Sequence, residues 1–377
     1  MSTKTIAIFS EYYPPHLGGL ENYVYNIGNI LHKRGYNIIV ITTKYDENQN
    51  IEEIINGIRI LRYPVHKLFV SRYPIPKRDT IYKNIIKKLE NLKVDFVILN
   101  TRFFLSTSVG ASFCKRNKIP NFLIEHGCEH LTVDNKILDY FGSLYEHVLT
   151  KSVAGKIDEF YGVSQACNDW LNHFHLKTSG TLHGAVHIEE KDQYNKILND
   201  EKIVFTYAGR LLRQKGVLQL VETFSELSKK YKNIELHLAG KGPLKDELEK
   251  IAKENERVCL LGYLTHEELM KQLCKTDVFV YIPIWPEGLG ISVIEAGLMK
   301  CAAVISNQKG IMEVVPNEEY GYVVDANHSL YNCLESCIQN SSECIKKAEA
   351  LHQRVIDVFS WEHTVDSIEE IIINRLK

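Results

Sequence analysis

The stretch "IVFTYAGRLLRQKGVLQLVETFSELSKKY", Ile203 to Tyr231, holds two periodicities in a row. It opens on an almost unbroken apolar run that ends in glycine. Its second half places apolar residues at helical spacing: Val217, Leu220, Val221, Phe224 and Leu227. An apolar run without alternation reads as a strand covered on both faces, and the helix beyond the loop is what covers it. The predicted unit is strand, loop, helix in a parallel sheet.

That unit recurs in both directions. Downstream, "IELHLAG" precedes the helical "LKDELEKIAKEN", and "VCLLGYL" precedes "THEELMKQLCK", with Thr265 as its cap. "DVFVYIP", "GISVIEAGLMK" and "AAVISN" continue the series. Upstream, "KTIAIFS" is followed by the helical "LENYVYNIGNILHKRG", and "YNIIVITT", "VDFVILN", "NFLIEHG" and "EFYGVS" read as further strands. A polar stretch, residues 187–202, interrupts the pattern and reads as a linker. The expected fold class is α/β, with two doubly wound Rossmann-like domains facing across a cleft. They span residues 1–187 and 188–359, with a final helix at 360–377. The halves share no clear repeat.

The 377 residues suffice for two domains, and 45% of them are apolar, as in globular chains. No apolar run is long enough to span a bilayer, and the short run after Met1 reads as a buried strand, so the chain is expected in the cytoplasm. Nine cysteines are scattered without a CxxC pair, which implies neither a zinc site nor a disulfide framework. Cys333, Cys337 and Cys344 have the spacing of helix-packing residues. Residues 1–187 hold 22 Lys and Arg against 17 Asp and Glu, and ten of those cations fall within residues 59–93 against two anions. Basic residues interleaved with apolar ones there suit an anionic membrane surface, and a solvated helix face plus a loop is the even alternative. No nucleic-acid partner is expected.

In open parallel sheets, ligands gather beyond the carboxyl ends of the strands. The residues after each predicted strand are Gly18 and Gly19, His126, Arg210 and Lys215, Lys241, Tyr263 and Leu264, and the run Glu287-Gly-Leu-Gly. Two cations, Arg210 and Lys215, suit a diphosphate. A surface pair beside the linker is the other reading. Gly288 and Gly290 precede a helix whose free amides favour an anion. Glu287 and Glu295 would be repelled by phosphates and suit hydroxyls instead. His126 follows a buried strand, where a lone histidine is more often structural than catalytic. No D-x-D triplet occurs, so no metal and no other cofactor is expected at a diphosphate.

The set "GGLENYVYNIGNIL…RG", "EHG", "GVSQACNDWL", "AGRLLRQKGVLQLVETFSEL", "LHLAGKGPLKDELE", "LLGYL", "VFVYIPIWPEGLGISVIEA" and "GIMEVV…GYVV" resembles glycosyltransferase family 4 over nearly the whole chain. The resemblance implies the GT-B fold, retention of configuration, and a final helix that braces the first domain. It implies that Arg210 and Lys215 grip the donor diphosphate, and that Glu287 contacts the donor sugar and Glu295 the ribose. Gly290 and Ile291 offer amides near the sugar and phosphates. Gly19, with Gly18 beside it, lies near the phosphate and acceptor, and His126 contacts the sugar near the reacting carbon. Tyr263 and Leu264 hold the base. Three places depart from the family's pattern: Lys300 and Ala302 replace a Gly-x-Pro, Lys309-Gly310 replaces a glycine pair, and His183-Gly184 replaces Asn-Gly. The implied activity is hexosyl transfer from a nucleoside-diphosphate sugar to a glycan or lipid-linked acceptor, in polysaccharide or glycoconjugate synthesis, by a cytoplasmic, peripheral membrane enzyme. A sugar-nucleotide epimerase of the same fold is the alternative. A non-catalytic sugar-nucleotide sensor is disfavoured by the retained charged set. A nicotinamide-dependent oxidoreductase is disfavoured because the first loop lacks G-x-G-x-x-G and the second strand ends in Lys44.

Overall fold

A computed structural model describes residues 3–377 except 17, 69–72, 133–134 and 198–200. The chain divides into two compact units, residues 1–184 with 361–377, and residues 185–360. In the first, nine strands form one sheet: β1 (Thr5–Phe9), β2 (Asn37–Lys44), β3 (Glu52–Ile55), β4 (Ile58–Leu68), β5 (Tyr73–Pro76), β6 (Phe96–Asn100), β7 (Asn121–Glu125), β8 (Glu159–Gly162) and β9 (Gly180–Thr181). Their order is β3-β4-β2-β1-β6-β7-β8-β9, with β5 beside β4. β1 is central, pairing Ile8 with Val40 of β2 and with Ile98 of β6, both parallel. All five residues of β1 are buried, as strands covered by helices on both faces must be. The chain order reverses direction between β1 and β6.

The second unit has six strands: β10 (Ile203–Ala208), β11 (Ile234–Ala239), β12 (Val258–Gly262), β13 (Val278–Tyr281), β14 (Ala302–Ser306) and β15 (Tyr322–Val324). They run β12-β11-β10-β13-β14-β15, and each pair is parallel. The order reverses between β10 and β13, which opens a crevice at their carboxyl ends. Helix Val217–Lys230 buries Val217, Leu220, Val221, Phe224 and Leu227 against this sheet. Each such side chain contributes about 1.5–3 kcal/mol. Cys333, Cys337 and Cys344 are buried in two helices of this unit, as their spacing predicted.

The last helix, Trp361–Leu376, belongs to the first unit. Trp361 is buried edge-on to Tyr23, with ring centroids 5.3 Å apart. Arg34 reaches from the end of helix Gly19–Lys33 to Asp366 at 2.7 Å and to Glu369 at 2.6 Å. Arg375 pairs with Glu159 beside β8.

Two expectations are corrected. Residues 187–197 of the presumed linker are docked on the second unit. Lys196 donates to the Thr276 carbonyl, and the Ile197 amide donates to the Cys274 carbonyl at 2.9 Å. The basic stretch is not simply a loop and a helix, because β4 and β5 lie in it. The cations there do not keep strict alternation with the apolar residues, since Ile60, Leu61, Arg62 and Tyr63 of β4 are all buried. Arg62 is buried and donates to the Pro14 carbonyl at 3.0 Å, and both Arg59 and Lys88 pair with Glu52. Residues 69–72 of that stretch lie outside the described residues. No described helix is long and apolar enough to cross a membrane.

Lys300 adopts φ 55°, the left-handed region where a Cβ costs about 1–2 kcal/mol and glycine costs nothing. Its ammonium meets Glu349 at 3.0 Å, but both side chains are near half exposed, so the pair contributes little. Lys300→Gly is therefore expected to raise the unfolding free energy by roughly 0.5–1 kcal/mol. A urea melt checks this by a higher midpoint at unchanged slope.

Candidate active site

At the crevice of the second unit, the loop after β10 and the loop after β13 are pinned together. The Ile284 amide donates to the Gln214 carbonyl at 2.8 Å. Gly216 has φ 72°, and a methyl there would overlap the Ile282 carbonyl, so only glycine permits this approach. Pinning brings Lys215 onto Glu287, and the ammonium also lies 3.3 Å from the Tyr281 hydroxyl. Lys215 and Glu287 side chains are each 16% exposed. Tyr207 donates to the Arg210 carbonyl at 2.8 Å and fixes that loop's backbone. Burial, then the charge of Glu287, raises both the Tyr207 and Tyr281 hydroxyls above the ordinary phenol range, so both remain protonated donors.

A cavity of about 650 Å³ opens here, and Arg210, Lys215, Tyr263, Leu264, Ile291 and Glu295 line it. Arg210 is exposed, and its guanidinium makes no ion pair among the described residues. Helix Ile291–Leu298 begins after Gly290. The Ile291 amide, expected to face the ligand, donates instead to the Leu289 carbonyl at 3.0 Å. The amides of Gly290 and Ser292 have no acceptor among the described residues, so the helix end keeps free donors. Glu287 and Gly288 are not in the cavity wall; they form the adjoining loop. Gly310 holds that loop, since a methyl on Gly310 would overlap the carbonyls of Glu287 and Gly288.

Sequence reasoning did not assign Tyr281, Gly310 or His266 to the site, and it left Lys241 without a role. Lys241 lies on the Tyr263 ring, 4.4 Å from its centroid, and lines the same cavity. His266 bridges two carboxylates, Glu190 at 2.9 Å and Glu295 at 3.4 Å. They push its imidazole up to about 10, which leaves it cationic at neutral pH beside Glu295.

Gly18, Gly19 and His126 lie in the first unit. Gly18 precedes helix Gly19–Lys33, and a Cβ on Gly19 would meet nothing within 4 Å. The helix end already holds a carboxylate of its own, Glu21, which pairs with His16 at 2.8 Å. Asn100 donates to the Phe9 carbonyl at 3.0 Å, which turns its amide oxygen toward His126 Nε2, 3.1 Å away. His126 therefore carries its proton on Nε2 and keeps Nδ1 as an acceptor. Burial pushes the ring down to about 3, so it is neutral. Glu11, just past β1, was not foreseen. It is fully buried, accepts from the Ser106 amide at 3.1 Å, and its other oxygen has no partner among the described residues. Burial pushes its carboxyl up to about 7, against the opposing hydrogen bonds from Ser106.

Residues 17–185 match the family described as Glycosyltransferase Family 4, and residues 188–358 match glycosyl transferases group 1. The chain belongs to glycosyltransferase family 4. The enzyme is 22% identical to the GPI3 subunit of phosphatidylinositol N-acetylglucosaminyltransferase from Saccharomyces cerevisiae, over 98% of this chain and 82% of that one. Its fold matches sucrose-phosphate synthase from Thermosynechococcus elongatus with a TM-score of 0.77, at 19% identity and 98% coverage of both chains. It also matches the Anabaena protein HepE in complex with UDP-glucose, with a TM-score of 0.73, at 16% identity over 98% of this chain and 99% of that one. The enzyme is a glycosyltransferase of the GT-B fold.

Two outcomes test this geometry. Glu11 is held above its unfolded value of 4.5, so the stability it supports is present below that pH and is lost as pH rises through about 7. Glu11→Gln is expected to gain up to about 3 kcal/mol over the natural enzyme at pH 8, shrinking below about 1 kcal/mol at pH 5. Urea melts at the two pH values measure both. Gly310→Ala should displace the Glu287 loop and lower turnover at least about tenfold. Assays under saturating donor, beside a thermal melt, separate that loss from unfolding.

Proposed function

We propose that the enzyme transfers a hexose or related sugar from a nucleoside-diphosphate sugar to a hydroxyl of a lipid-linked acceptor, with retention, in cell-surface glycan or glycoconjugate synthesis. The observation that carries this is the cavity at the β10–β13 reversal. Two cations, Arg210 and Lys215, stand beside free helix amides there, and the carboxylate Glu295 stands in the same wall. Diphosphate charge suits the first group, and ribose hydroxyls suit Glu295. The base would rest at Tyr263 and Leu264, and the sugar near Glu287. UDP-glucose in the related HepE structure favours a uridine donor.

In the reaction, the bond from the sugar's anomeric carbon to the diphosphate oxygen breaks, and a bond to the acceptor oxygen forms on the same face. The leaving phosphate takes the acceptor proton. Negative charge grows on the diphosphate as this happens, and Arg210, Lys215 and the helix amides meet it already in place, with no divalent ion required at that point. Neutral His126 offers Nδ1 as an acceptor to a sugar hydroxyl. His266 holds Glu295 in position.

A lipid-linked acceptor has two supports. The phosphatidylinositol named for the yeast relative is a membrane lipid. Helix Lys136–Ala154 also exposes Ile137, Phe141, Leu144 and Val148 at helical spacing, and Phe141 is 60% exposed. Such a face suits the boundary of a cytoplasmic leaflet. Arg78, Lys83 and Lys87 remain exposed in the basic stretch and suit anionic headgroups.

Glu287→Gln should lower turnover about a hundredfold or more, and because it leaves Lys215 unpaired it should also lower the melting temperature, so turnover is compared at a temperature where a thermal melt shows the variant still folded. Near-natural turnover would remove Glu287 from the reaction. In a thermal-shift panel of UDP-, GDP- and ADP-sugars, one nucleotide class is expected to raise the melting temperature, and Arg210→Ala with Lys215→Ala should abolish the shift. Flotation with anionic vesicles should weaken in a variant with Arg78, Lys83 and Lys87 changed to Gln; unchanged flotation would discard that basic surface.

A further inference from the structure

Three histidines of the first unit meet away from the residues assigned to donor and acceptor. His130 lies in the segment after β7, His147 on helix Lys136–Ala154, and His173 at the end of helix Gln165–His173. One nitrogen from each lies within 4.8 Å of the others. The ring centroids are 5.3 Å apart for His130–His147 and for His147–His173, and 5.8 Å for His130–His173.

Their partners set two of the tautomers. His130 Nδ1 lies 3.0 Å from Glu146 Oε2, and a carboxylate only accepts, so Nδ1 carries the proton and Nε2 the lone pair. That Nε2 takes a hydrogen bond from the Ser143 hydroxyl at 2.9 Å. His147 Nδ1 donates to the Ser143 carbonyl at 2.9 Å, which likewise leaves its Nε2 with a lone pair. Histidines that ligate metals are held this way, by a carboxylate or a carbonyl on the far nitrogen. Glu146 is itself fixed, fully buried, by Arg102 at 2.8 Å. Trp170 stacks on His173 at 4.8 Å and meets His130 edge-on, and its indole nitrogen is shut from solvent with no acceptor among the described residues. A water or anion on a metal ion would supply that acceptor.

The geometry points to a site for one divalent transition-metal ion of the zinc class, ligated by His130, His147 and His173 with a fourth position for water. Tetrahedral zinc–nitrogen bonds of about 2.0–2.1 Å require nitrogens about 3.3 Å apart. His147 and His173 are exposed and have the rotamer freedom to close that distance. The ion would fasten the segment that follows His126 to two helices. It would be a structural clip, independent of the donor reading above.

The test uses the full chain, without a polyhistidine tag, stripped with EDTA and titrated with zinc chloride or cobalt chloride. One equivalent should bind in calorimetry, cobalt should give the intense visible bands of a tetrahedral site, and zinc should raise the melting temperature. His147→Gln and His173→Gln should each weaken binding at least about tenfold and lose the zinc-dependent rise. No binding by the natural chain, or cobalt bands typical of six-coordination, would overturn the proposal. So would equal binding by the double variant. The cobalt spectrum of the natural chain decides the matter even where a variant fails to fold.

Discussion

Lys215 and Glu287 meet from two different loops, and the ligand-facing edge of the second unit is arranged around that contact. Parallel pairing of β10 with β13 places the loops side by side, and the glycine at 216 lets them close. The pair is mostly withdrawn from water, where an unpaired charge would be costly. Each partner therefore holds the other in place before any ligand arrives. In the proposed donor complex a diphosphate oxygen offered to Lys215 replaces one anionic partner by another, so the lysine keeps a counter-charge throughout. On that proposal Glu287 is freed for groups that donate hydrogen bonds, which sugar hydroxyls do and phosphates do not.

Much of this edge was legible in the sequence because parallel strands are buried on both faces and carry long apolar runs. Those runs located β10 to β14, and the rule that ligands gather at strand ends then singled out Arg210, Lys215, Tyr263 and Leu264, which line the cavity. Where the apolar signal is diluted, the reading failed. β4 interleaves cations with apolar residues, which resembles a basic surface until Arg62 is found buried beneath it. The polar segment 187–197 is charged enough to pass for a tether, yet its backbone is satisfied by the second unit.

The residues that were missed share a different cause. Gly310 matters because a loop more than twenty positions upstream packs on its bare Cα, and no local pattern records that approach. Tyr281 ends an apolar strand and looks like core. Glu11 owes its altered acidity to burial, which is complete only after β1 and β6 pair and bring distant residues such as Ser106 against it. His266 looks like an ordinary exposed helix residue until Glu190 and Glu295 converge on it. Long-range contacts create these features, and composition cannot encode them.

The two units also differ in how they treat charge. At the β10–β13 edge, cations and carboxylates are present in full: Arg210, Lys215, Lys241, Glu287, Glu295 and cationic His266. At the β1–β6 edge, two ionisable groups are driven toward neutrality, His126 by desolvation and Glu11 by burial with one oxygen unpartnered among the described residues, beside the buried Arg102–Glu125 ion pair. A neutral histidine with a free Nδ1 is a poor proton donor and a serviceable hydrogen-bond acceptor. In the proposed reaction the charged edge meets the departing diphosphate, and His126 accepts from uncharged hydroxyls. In the proposed transfer the donor's own leaving group supplies the base, and the β10–β13 edge holds its growing charge.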